Sequence, residues 1–199
     1  MRILRGFASP ARRWLGSITA MDRFWLLTWT TYGTWLPGDI RGSVTSVKEG
    51  EGPRHRHNRH GTAYDGPMPG LRRSALDLMK GDPVWLEAAH AAAALQQFQE
   101  TANHRKWTIM AAAIMANHVH LVVGVQGDPD PADLLQDFKS YSSRQLNAEF
   151  GRPDSGTWWT KSGSRRKLPN EPAVMAAVKY VLEQENPLVT WPIHGERGT

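Results

Sequence analysis

The chain has 199 residues, 40% of them hydrophobic and 22% charged, with a formal net charge of +5 and nine Trp. That length and apolar content suit one domain with a sizeable core, and the positive balance leans toward an anionic partner such as nucleic acid. No Cys is present. That excludes a disulfide framework and a thiolate metal site, so any metal must rely on His, Asp, Glu, Gln or Asn. No apolar run reaches membrane-spanning length, and cytoplasmic residence is the default expectation.

Residues 1–21 carry Arg2, Arg5, Arg12 and Arg13 unopposed by acid and read as a basic arm, or as a mis-assigned start with Met21 the true one. Their apolar stretches are too short for a secretory signal. Residues 22–192 are expected to form a single domain, followed by a tail over 193–199. Phe24 to Tyr32 (FWLLTWTTY) is aromatic and β-branched and predicts a strand. Gly33, Pro37, Gly38 and Asp39 end it. Residues 33–81 then read as a long irregular insertion holding the run Arg54-His55-Arg56-His57-Asn58-Arg59-His60, which is better explained as a solvated basic loop than as a metal site.

Asp82-Pro83 has the form of a helix start, and Trp85, Ala88, Ala91, Ala92, Leu95 and Phe98 give the following segment an apolar face as far as Ala102. Trp107 to Met115 predicts a second strand. His118 to Val125 predicts a third, paired antiparallel with it across a turn at Ala116-Asn117. Asp130 caps a helix with Pro131 at its first position, which runs to Phe150 and stops at Gly151. Gly156 to Leu168 (GTWWTKSGSRRKL) predicts a hairpin turning at Ser162-Gly163. A last helix over Glu171–Glu185 shows Val174, Ala177, Val178, Val181 and Leu182 at helical spacing. The order strand, helix, strand, strand, helix, strand predicts an α+β fold with a ferredoxin-like β-α-β-β-α-β core and an antiparallel sheet. Extending it are the long insertion, the extra hairpin and a C-terminal helix.

The chemistry concentrates at Asn117-His118-Val119-His120. Side chains alternate along a strand, so His118 and His120 share a face, roughly 7 Å apart along the chain. A lone His near a strand is usually a hydrogen-bonded structural residue. Two on one face at the mouth of an apolar strand can converge on one divalent cation. On the helix over 131–150, Leu134, Phe138, Tyr141 and Gln145 fall on one stripe, which predicts that Tyr141 and Gln145 also face the sheet. The bland alternative is a core Tyr beside a backbone-bonded Gln. With the His pair, the Gln145 carbonyl becomes a candidate hard ligand for Mg²⁺ or Mn²⁺, and Tyr141 a candidate nucleophile. A phenol, with its ordinary pKa about 10, attacks a phosphodiester once a metal neutralises the developing charge. The covalent link conserves bond energy, so strands can be cut and rejoined.

The stretch from Met115 to Val123 resembles the HUH motif (His, bulky apolar, His) of single-tyrosine transposases of the insertion-sequence-200 type and of the REP-associated tyrosine transposases. Phe138-Lys139-Ser140-Tyr141-Ser142-Ser143-Arg144-Gln145 is similar to their catalytic helix, and Leu27 through Gly38 to the start of some members. The resemblance implies His118, His120 and Gln145 as metal ligands and Tyr141 as the nucleophile of a 5′-phosphotyrosine intermediate. It implies Mg²⁺ or Mn²⁺ as cofactor, hairpin-bearing single-stranded DNA as partner, and a monomer or homodimer. Lys139, Arg144, Lys161, Arg165, Arg166 and Lys167 are the candidate DNA contacts. Two other readings stand beside it. One is a catalytically inactive single-strand binding protein, with Trp158 and Trp159 stacking on bases. The other is a metal hydrolase of small phosphoesters, for which no small-molecule pocket signal is seen.

Overall fold

A computed structural model describes residues 21–41 and 67–192. The arm over 1–20, the basic run 54–60 and the tail 193–199 lie outside the described residues.

Five strands form one antiparallel sheet: β1 (Arg23–Thr30), β2 (Thr108–Ile114), β3 (His118–Val125), β4 (Ser164–Leu168) and β5 (Val189–Trp191). Four helices accompany them: α1 (Pro69–Asp77), α2 (Ala88–Arg105), α3 (Pro131–Phe150) and α4 (Glu171–Leu182). The strand order β4-β1-β3-β2-β5 contains the ferredoxin-like 4-1-3-2 arrangement, with β5 added at the β2 edge. The predicted fold class therefore holds. β5, and α1 inside the segment read as irregular, were not predicted.

Strand alternation assigns the two faces. Leu27 and Trp29 of β1 and Val119, Leu121 and Val123 of β3 pack with Phe98 of α2 and Leu134 and Phe138 of α3. Both of these helices therefore pack on one face. The alternate residues, Leu26 of β1 and Val122 of β3, pack instead with Val174, Ala177, Val178 and Val181 of α4.

Three local readings change. The helix predicted from Asp82-Pro83 begins only at Ala88, with a Glu87–His90 capping box. Residues ahead of it are extended, because Val84 N–H donates to Tyr32 O (2.9 Å) and Leu86 N–H donates to Ala116 O (2.7 Å). Val84 and Leu86 are buried while Trp85 between them is 58% exposed, a period of two rather than of a helix. The residues read as a hairpin lay both arms on β1 instead of on each other: Trp159 bridges Thr31, and Leu168 pairs with Phe24. Lys139 of α3 fixes that geometry by donating from Nζ to the carbonyls of Thr160, Lys161 and Ser162. Trp158 and Trp159 are core residues, donating to Asn147 Oδ1 (2.9 Å) and Ser142 Oγ (3.1 Å), which leaves neither free to stack on a base.

Candidate active site at the mouth of the third strand

β3 opens on His118, opposite Thr30 of β1, and places His120 opposite Thr28. Both imidazoles leave the sheet on the side of Val122, which is the α4 side. The rings meet edge to face with centroids 5.0 Å apart. His120 is buried and His118 half-buried.

Each imidazole is oriented through Nδ1. For His118 the partner is Asn117 Oδ1 at 2.6 Å, and for His120 it is Thr28 Oγ1 at 2.7 Å. A carboxamide oxygen can only accept, so His118 carries its proton on Nδ1 and presents the Nε2 lone pair. Asn117 is held in turn, its carbonyl accepting from Thr31 N–H (2.9 Å) and from the hydroxyls of Thr31 and Thr34, each at 3.2 Å. Burial lowers the His118 pKa below its ordinary value, helped by the positive charge of Arg41. Burial, then the charge of His118, pushes His120 down to about 4. Both rings are neutral at pH 7, as metal ligation requires.

The phenol that meets His120 of this pair is Tyr180 of α4. Its hydroxyl lies 3.5 Å from His120 Nε2, and the two rings are 5.2 Å apart between centroids. Gln184 sits one turn further along and donates to Tyr180 O (2.9 Å). Tyr180 is 49% exposed.

The structure does not bring Tyr141 and Gln145 to the imidazoles. α3 packs on the opposite face of the sheet. Its buried residues are Leu134, Leu135, Phe138, Lys139, Ser142 and Leu146, so the predicted stripe holds through Leu134 and Phe138 and then passes to Ser142 and Leu146 in place of Tyr141 and Gln145. Tyr141 lies under the Arg144 guanidinium (5.1 Å to the ring centroid), and Gln145 donates to Glu149. Lys139 is a corrected DNA contact: it is buried on three carbonyls, and burial lowers its pKa to about 8. Lys161, Arg165, Arg166 and Lys167 are exposed on and before the edge strand β4. Their register separates them. Arg166 pairs with Leu26 and so shares the face of the His pair, whereas Arg165 and Lys167 pair with Leu27 and Trp25 and lie on the other face.

Tyr180 and Gln184 were missed from sequence although they repeat the Tyr-x-x-x-Gln spacing of Tyr141 and Gln145. The discriminating signal is parity. Val119 and Leu121 belong to the face covered by the crossover helices, so the His face needs a helix outside the β-α-β-β-α-β core, and α4 is that helix.

The donor set suits a divalent cation. Two neutral imidazoles converge, and each has an oxygen partner on Nδ1 of the kind that orients metal-binding His. Among the described residues no cluster of three or more His, Cys, Asp or Glu could hold a metal. Gln184, one turn beyond Tyr180, offers a carboxamide oxygen of the hard type that Mg²⁺ or Mn²⁺ accepts. Among the described residues, no helix is long and apolar enough to cross a membrane.

Comparison with known proteins gives one family. The family described as "Transposase IS200 like" matches residues 83–184, a span that contains both Tyr-x-x-x-Gln pairs and the two His. No curated protein matches the chain. Among solved structures, one described as a REP-associated tyrosine transposase bound to a REP hairpin is 12% identical, with a TM-score of 0.41, over 91% of this chain and 70% of that one. A candidate transposase from Deinococcus radiodurans R1 is 15% identical, with a TM-score of 0.40, over 94% of this chain and 98% of that one.

Proposed function

The chain belongs to the family of IS200-like transposases, and on that premise we propose that it cuts and rejoins single-stranded DNA by transesterification, with Tyr180 as the nucleophile. The observation that carries this reading is the Tyr180 hydroxyl 3.5 Å from His120 Nε2, on the one face that holds both imidazoles. Tyr141, the nucleophile expected from sequence, has no such neighbour among the described residues.

His118 and His120 would hold Mg²⁺ or Mn²⁺ through Nε2, with the Gln184 carboxamide, one turn beyond Tyr180, as the third ligand. When bound, that cation withdraws charge from the scissile phosphate. The chain's own residues do the rest. Thr28 and Asn117 hold the rings in orientation, and α4 carries the phenol to the same point. Tyr180 Oη attacks phosphorus, the phenolic proton passes to solvent, and the P–O3′ bond breaks. The departing 3′ oxygen takes up a proton. The products are a 5′-phosphotyrosine and a free 3′-hydroxyl. Attack by a 3′-hydroxyl on that phosphotyrosine reverses the sequence and releases Tyr180, so joining needs no external energy source.

DNA carrying a hairpin is the partner proposed. Arg166 is the best-placed of the predicted phosphate contacts, because its register puts it on the Tyr180 face. The test is incubation of labelled hairpin-bearing single strands with Mn²⁺ and a denaturing gel. The wild-type chain and Tyr141→Phe should both give a protein–DNA adduct, and Tyr180→Phe should give none. An adduct from Tyr180→Phe would end the proposal.

A further inference from the structure

Behind β1 the chain folds into a short described loop whose contacts the chemistry above does not use. Arg41 forms a two-point ion pair with Asp39, Nε to Oδ1 at 2.8 Å and Nη2 to Oδ2 at 2.9 Å. Nη2 also donates to Thr34 O at 2.7 Å. The guanidinium lies over the Trp35 ring, 5.1 Å from its centroid. Asp39 is nearly buried, with 10% of its side chain exposed, whereas Arg41 retains 46%. Among the described residues Nη1 meets no acceptor.

This loop is tied to the imidazoles. Thr34, whose carbonyl holds Arg41, donates from Oγ1 to the carbonyl of Asn117 (3.2 Å), and Asn117 Oδ1 accepts from His118 Nδ1 (2.6 Å). A planar, permanently charged fork fixed by a carboxylate, a carbonyl and an indole is built for an oxyanion. Fixing a long side chain in this way is an odd use of three contacts if the only result is a surface ion pair, since exposed pairs contribute little to stability. The anionic ligand that the proposed reaction brings to this corner is a DNA strand.

We propose that Arg41 binds a phosphate of the DNA strand beside the His118–His120 pair, with Thr34 and Trp35 serving to aim it and Asp39 competing for its charge. The proposal rests on the DNA-processing reading of the site, and its test is made on binding so that the two can fail separately. Arg41→Ala and Asp39→Ala break the same ion pair. If the pair merely shapes the loop, both variants shift DNA binding in the same direction. If Arg41 holds phosphate, they differ in direction, because Asp39→Ala removes a competing anion.

The measurement is fluorescence anisotropy of a fluorescein-labelled, hairpin-bearing single-stranded oligonucleotide in EDTA, across a salt series. Arg41→Ala should weaken binding about five- to tenfold and lower the slope of log K against log salt by about 0.7, the loss of one single-strand phosphate contact. Arg41→Lys, which keeps the charge and loses the fork, should fall between. Asp39→Ala should bind as tightly as the wild-type chain or more tightly. Equal weakening by both alanine variants, or wild-type binding by Arg41→Ala, overturns the proposal. If the wild-type chain binds no DNA, both proposals fall. If it binds but forms no adduct, and Arg41→Ala still loses affinity, only the transesterification reading falls.

Discussion

The two faces of the sheet use similar residues for opposite ends. On one, α3 carries Tyr141 and Gln145 beside the buried Leu134, Leu135, Phe138, Ser142 and Leu146, and meets Val119, Leu121 and Val123. On the other, α4 carries Tyr180, with Gln184 just past its end, and Tyr180 meets His120. The spacing of the two Tyr-x-x-x-Gln pairs is identical. What differs is the strand residue opposite, and that is decided by whether its position in β3 is odd or even. A motif on a helix therefore acquires chemistry only through the face of the sheet it covers.

That contrast can be broken by substitution. The largest expected effect on stability is on the α3 face. Phe138 is fully buried, with Phe98 and Trp107 ring centroids at 5.7 and 5.4 Å. Phe138→Ala should cost about 3–5 kcal/mol in denaturant unfolding. Tyr180→Phe, at a half-exposed position, should leave the unfolding midpoint nearly unchanged; a comparable loss there would make the α4 face a core like the other.

Next in size is the orientation of the imidazoles. Thr28→Val removes the hydroxyl at Nδ1 of His120 while keeping the shape of the side chain. Mn²⁺ affinity by calorimetry should fall about 10- to 100-fold, with little change in fold. Unchanged affinity would make the contact incidental.

A third effect is in acid. His120 is held at about 4 by burial and the neighbouring His118, whereas an unfolded His titrates at about 6.5. Because the folded value is the lower one, the unfolded chain takes up a proton that the folded chain refuses between these values. Metal-free stability should be free of this cost above pH 6.5 and decline as pH falls toward 4, with a slope approaching one proton. His120→Gln should flatten that decline. An unaltered slope would show the ring to be solvated.

The core fold was legible because its signals are local and repetitive. The Val-rich run of β3, the Asp130-Pro131 start of α3 and its stop at Gly151 all stand where the residues indicate. The His pair was legible for the same reason, as alternation along one strand. Its partner was not. Leu134 and Phe138 turn inward on α3 as the spacing predicts, but the next inward position could fall three or four residues on, at Tyr141 or Ser142, and only packing selects Ser142. Trp85 was drawn into a predicted helix because apolar spacing cannot register the carbonyls of Tyr32 and Ala116 that hold its neighbours extended. Lys139 looked like a DNA contact because the sequence does not show three carbonyls folding back over its ammonium. In each case a long-range contact outweighed a local pattern.

The central claim is that the phenol of α4, and not that of α3, belongs to the His pair. The most direct measurement is peptide mapping of the residue that carries DNA after incubation of the wild-type chain with Mn²⁺ and a hairpin-bearing single strand. The account predicts phosphotyrosine at Tyr180 and none at Tyr141. Label on Tyr141, retained in Tyr180→Phe, would contradict it.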